Sequence, residues 1–163
     1  MRKLVLICGC IVLASLLSCS TPQQASGITP VQVSQLLQDQ SYQFVATYVQ
    51  PTGGRQRNLT GNYVLRVTKE EVFADLPYFG KVYTASVGST DGGIKFTSRD
   101  FIYSTETGKK GSREISIKPK DIAETQELFL SVYENGSANL RVNSVNRQSI
   151  SYIGEIRAIP QRQ

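Results

Sequence analysis

Tyr42-Gln43-Phe44-Val45-Ala46-Thr47-Tyr48-Val49 is the stretch on which the fold turns. Tyr42, Phe44, Ala46 and Tyr48 alternate with Gln43, Val45, Thr47 and Val49. Successive side chains of an extended chain point to opposite faces, so this period of two reads as a strand with one face on a core. Tyr63, Leu65 and Val67 repeat the pattern, as do Ile94/Phe96, Ile115/Ile117, Leu128/Leu130/Val132, Leu140/Val142 and Ile150/Tyr152/Ile156. Turn chemistry separates the runs. Asn135-Gly136 suits the two positive-φ positions of a type I′ hairpin, Gly108-Lys109-Lys110-Gly111 forms a second hairpin, and Asp91-Gly92-Gly93 marks a third turn. The pattern predicts a mainly β domain of about eight strands, either an antiparallel sandwich or a curled, barrel-like sheet.

One helix precedes the strands. Thr29 is a good N-cap, Pro30 fits the first helical position, and Val33, Leu36 and Leu37 fall on one face. The spacing predicts a short amphipathic helix ending near Gln40 and packing on the sheet. Leu76-Pro77-Tyr78-Phe79-Gly80-Lys81 breaks the strand pattern with proline and glycine around two aromatics, and Ser86 to Gly93 is small and polar.

The chain begins with a different signal. Arg2 and Lys3 precede an apolar run from Leu4 to Leu17, which ends in Ser18-Cys19. That run is short for a membrane span and has the length of a signal-peptide core. Residues 1–18 read as a bacterial lipoprotein signal with Cys19 as the lipidation site. Residues 19–28 read as a polar tether and 29–163 as a single β-rich domain. Cleavage would remove Cys8 and Cys10 and leave a mature chain of about 145 residues, large enough to bury a core. Its one cysteine would be consumed by acylation, so no disulfide can form.

Composition narrows the chemistry. The sequence has no histidine, which excludes Ser-His-Asp and Cys-His mechanisms and nearly all zinc sites. No cofactor, metal or catalytic residue is assigned. Loss of Arg2 and Lys3 from 18 basic residues, against 13 acidic ones, leaves a mature charge of about +3. The basic residues are dispersed except for Arg55/Arg57 and Lys109/Lys110/Arg113, so no nucleic-acid-binding stripe is present.

Tyr78, Phe79, Lys81 and Tyr83 are candidates for ligand binding, because aromatics on an irregular loop offer flat apolar faces with polar tips. The bland alternative is that they plug one end of the sheet. Arg99, beside Asp100-Phe101-Ile102-Tyr103, is a further ligand-binding candidate. Glu106 and Glu114 fall across the Gly108 hairpin, where cross-strand pairing or solvation accounts for them better than hydrolysis does.

Leu76-Pro77-Tyr78-Phe79-Gly80, Gly92-Gly93-Ile94-Lys95-Phe96, Asn135-Gly136-Ser137-Ala138 and Arg147 with Ile150-Ser151-Tyr152-Ile153-Gly154 resemble the family known as domain of unknown function 4251. The resemblance runs from the helix to Ile156, and its members are mostly Bacteroidetes lipoproteins of about this length. It implies an envelope lipoprotein with a β-rich domain and brings no activity, substrate or catalytic residue. Such lipoproteins carry an acidic run after the cysteine when they are exported to the surface. Ser20 to Gly27 has none, so the expected location is the outer membrane, facing the periplasm. The expected partners are the membrane, through Cys19, and an envelope protein, lipid or glycan ligand. The leading expectation is a non-enzymatic binding domain for an apolar or glycan ligand, the former held inside the curled sheet. A subunit docking an envelope partner comes second and a glycan hydrolase third. Cys19→Ala should move the protein from the detergent phase to the aqueous phase in a phase-partition assay; persistence with detergent would place the anchor elsewhere.

Overall fold

The computed structural model describes residues 27–83 and 92–160, so Cys19, the signal and most of the tether lie outside the described residues. Helix α1 spans Pro30–Gln38. Thr29 caps it through a reciprocal capping box: its hydroxyl accepts from the Gln32 amide at 3.3 Å, and the Gln32 side chain accepts from the Thr29 amide at 2.9 Å. The helix stops two residues before the expected end because Gln40 turns left-handed, with φ 48°. The Ser41 amide then reaches the Leu36 carbonyl at 3.1 Å and the Gln40 amide reaches Leu37 at 3.3 Å, the two bonds of a Schellman cap. Val33 and Leu37 face the core. No helix among the described residues is long and apolar enough to cross a membrane.

The strands are β1 Tyr42–Pro51, β2 Arg57–Val67, β3 Val72–Leu76, β4 Ile94–Ser98, β5 Phe101–Thr107, β6 Arg113–Pro119, β7 Thr125–Val132, β8 Ser137–Ser144 and β9 Ile150–Arg157. They form one sheet in the order β4-β3-β2-β1-β9-β8-β7-β6-β5, antiparallel at every step. Eight antiparallel steps separate β4 from β5, so the two edge strands run in the same sense. Only Arg99 and Asp100 lie between them. They are therefore two halves of one bent strand, the first pairing with β3 and the second with β6. Counted once, that strand makes an eight-stranded, nearly closed barrel rather than a sandwich.

The bend is held from outside the strand. Asp121 accepts hydrogen bonds from the Ser98 hydroxyl, from the Arg99 amide at 2.8 Å and from the Asp100 amide at 3.3 Å. The Ser98 bond, followed by that from Arg99, holds the Asp121 carboxyl below its ordinary pKa. Lys120 donates its amide to the Asp100 carbonyl at 2.7 Å.

Tyr42, Phe44, Leu65, Leu130, Leu140 and Tyr152 are among the side chains that fill the interior with no exposure, and α1 closes one end. Among the described residues these side chains pack against one another inside the barrel, the place where the apolar ligand is expected. One face assignment also changes. A bulge between Ala46 and Tyr48 interrupts the register with both β2 and β9, so Tyr48 points outward and Val49 is buried. The β9 backbone comes close here: a Cβ on Gly154 would lie 2.0 Å from the Val45 carbonyl oxygen. Gly154→Ala should therefore cost about 2–3 kcal/mol or more in urea unfolding, and an unchanged midpoint would refute this tight contact.

Candidate functional site

At the end of the barrel opposite α1, four loops converge on Arg147. The Pro77–Tyr83 segment leaves β3 where proline removes the next backbone donor. It is stitched to the β8–β9 connection by the Tyr83 amide to Asn146 at 2.8 Å and the Gln148 amide to Lys81 at 2.9 Å, flanking a bridge between Val82 and Arg147. Thr52, after β1, donates its hydroxyl to the Ser149 carbonyl at 2.7 Å, and the Val145 amide reaches Glu124 at 3.0 Å.

Arg147 is only 9% exposed. Its Nη1 donates to the Gly93 carbonyl at 2.9 Å, its Nη2 lies 3.6 Å from the Glu124 carboxylate, and its guanidinium carbon sits 5.3 Å from the Tyr78 ring centroid. The Tyr78 hydroxyl lies 2.7 Å from the Lys81 carbonyl and 2.9 Å from that of Gln148; its single proton serves one at a time. Tyr152, buried beneath, donates to the Pro77 carbonyl at 2.8 Å. Burial raises both hydroxyls above the ordinary tyrosine range, so both remain protonated donors.

This framework supports a shallow groove of about 290 Å³ lined by Tyr63, Tyr78 and Phe79 with Pro77, Gly93 and the ion pair Asp75–Lys95, 3.7 Å apart. Its volume is near the lower bound of roughly 300 Å³ for small-molecule sites. Phe79 is 43% exposed, and Arg57 at the start of β2 places its guanidinium 5.1 Å from that ring centroid. Exposed Val82, Tyr83 and Val145 extend the apolar surface beyond the groove. A larger hollow of about 610 Å³ lies at the other end, between α1 and β9; Ile28, Gln32, Leu36, Asp39, Glu155 and Arg157 are among its lining residues, and it holds no aromatic side chain.

Of the residues singled out from sequence, Tyr78 and Phe79 line the groove. Lys81 supplies a backbone acceptor to the stitching, and its side chain is exposed and does not line the groove. Tyr83 is exposed at the rim, and its amide belongs to the same stitching. Arg99 does not join them: it sits at the far end of β4, on the bend, 3.5 Å from the Glu71 carboxylate. Glu106 and Glu114 pair directly across β5 and β6, and Glu114 accepts from the Ser112 and Ser131 hydroxyls. Sequence reasoning missed Tyr63, Asp75 and Lys95 as a groove; only Arg57 carried a signal, through its cluster with Arg55. No group of three or more acidic or thiol side chains among the described residues is arranged to hold a metal ion.

The fold defines the class as a nearly closed antiparallel barrel with one end helix. The family model described as "Domain of unknown function (DUF4251)" matches residues 28–156, and the chain belongs to that family. The crystal structure of a DUF4251 family protein from Bacteroides eggerthii DSM 20697 shares the fold, with a TM-score of 0.63 and 20% identity over 79% of this chain and 87% of that one. No curated protein matches the sequence.

The Arg147 cluster makes a stability prediction. Tyr152→Phe should lower unfolding free energy by about 1–2 kcal/mol by leaving the Pro77 carbonyl unpaired. Arg147→Met should cost about 3 kcal/mol. Urea midpoints equal to wild type would refute the role given to this cluster.

Proposed function

We propose that the protein is a lipid-anchored envelope lipoprotein on the periplasmic face of the outer membrane, and that its barrel is a non-enzymatic carbohydrate-binding module. The observation that carries the reading is the groove of Tyr63, Tyr78 and Phe79 beside Asp75 and Lys95. Aromatic faces cover the apolar C–H surfaces of a sugar ring, while the charged pair and nearby carbonyls meet its hydroxyls. Asp75 is the one carboxylate among the described lining residues, and glycoside hydrolysis ordinarily needs two.

The path of the chain supports the same reading. Gly27 lies beside α1 at one end of β1, and the groove lies at the other. At about 3.3 Å per residue, the ten residues of β1 separate the ends by roughly 30 Å, so the tether from Cys19 joins the barrel at the end away from the groove. Docking of an envelope protein is the second reading, favoured by the exposed Val82, Tyr83 and Val145 beside the groove. On a glycan array, wild type should give discrete hits that Phe79→Ala weakens roughly tenfold while keeping its melting temperature, since Phe79 is only partly buried. Hits equal in wild type and folded variant would remove the groove from the account.

A further inference from the structure

We infer that the groove selects acidic glycans, those carrying uronate carboxylates, with Arg57 as the group that recognises the carboxylate. The inference rests on the carbohydrate reading above and adds the charge of the ligand. Of the described residues that line the groove, Lys95 and Asp75 pair with each other, as Arg147 and Glu124 do behind them, so Arg57, over the Phe79 ring, adds a positive charge with no described carboxylate paired to it. Arg55, exposed two residues before Arg57, adds to the same sign. Arg147 is spent within the framework, on Gly93, Glu124 and the Tyr78 ring. The hollow at the α1 end has the reverse balance, with Asp39 and Glu155 against Arg157, so the positive potential is local to the aromatic end.

Arg57 is suited to the task by its placement. Its backbone is fixed in β2 opposite Val49, and its guanidinium lies over the exposed ring of Phe79. Stacking restrains the plane of the guanidinium, and among the described residues no group accepts from its N–H edges, whose fork matches the two oxygens of a carboxylate. A sugar ring resting on Tyr63 and Tyr78 would bring a ring carboxylate to the Phe79 side of the groove, where Arg57 lies.

The test is calorimetric titration of the full mature chain in detergent micelles with a galacturonate trisaccharide and a neutral galactose trisaccharide of equal length. Wild type should bind the acidic sugar about tenfold more tightly or better at low salt, with the gap narrowing as salt rises. Arg57→Gln, with its melting temperature unchanged, should bring the affinities for the two sugars together, whereas Arg57→Lys should retain part of the gap. Equal affinity for the two sugars, or a gap that survives Arg57→Gln, overturns this inference alone. Binding of neither sugar overturns it together with the carbohydrate reading.

Discussion

An antiparallel sheet can roll into a ring only with an even number of strands, because each hydrogen-bonded neighbour must run in the opposite sense. Nine strand segments meet that condition because β4 and β5 are one strand bent at Arg99-Asp100. The bend lets the chain serve both edges of the sheet, and Asp121 satisfies the hydroxyl and two amides that the bend turns away from the ladder. The same constraint shapes the groove. β3 has five residues and pairs only with Val64 to Val67, so the first half of the longer β2 extends past it without a β3 partner. Tyr63 and Arg57 lie on that extension, and the Pro77 loop turns Phe79 back beneath Arg57. The opening is thus a product of unequal strand lengths around a closed ring.

Rigidity at this end comes from polar groups rather than from regular structure. Loops that lack a ladder must find partners for their backbone groups elsewhere. Arg147, Tyr78 and Tyr152 donate to the carbonyls of Gly93, Gln148 and Pro77, which ties the irregular segment to the barrel. The proposed binding groove would benefit directly, because side chains already held in place lose less entropy when a ligand arrives. Tyr78 illustrates the coupling: its hydroxyl belongs to the framework while its ring lines the groove.

Much of this was legible in the chain. The alternation from Tyr42, the Asn135-Gly136 hairpin and the Thr29-Pro30 helix start are local signals, and each element forms, although the hairpin closes from Tyr133 to Ser137 with positive φ at Gly136 and not at Asn135, so its turn is not the expected type I′. Tyr48 and Val49 exchanged faces because a bulge depends on where β9 and β2 press on β1, which no local pattern records. Arg99 looked like part of an aromatic cluster, since proximity in sequence hides a strand bend that carries the chain away from the groove. Asp75 and Lys95 meet only because β3 pairs with β4, and Tyr63 read as one more core residue until the short β3 left it at a rim. The family model spans residues 28–156 and carries no function, so the proposed ligand is argued from these side chains alone.

The central claim is that the aromatic end of the barrel, away from α1, is the face that meets ligand. Two-dimensional amide NMR of the mature chain during titration with the galacturonate trisaccharide locates the contact directly. Shifts should cluster on Arg57, Tyr63, Phe79 and Gly93 and leave the helix amides of residues 31–38 and that of Asn135 unmoved. Shifts centred on α1 and Asn135, or none at saturating sugar, would contradict the account.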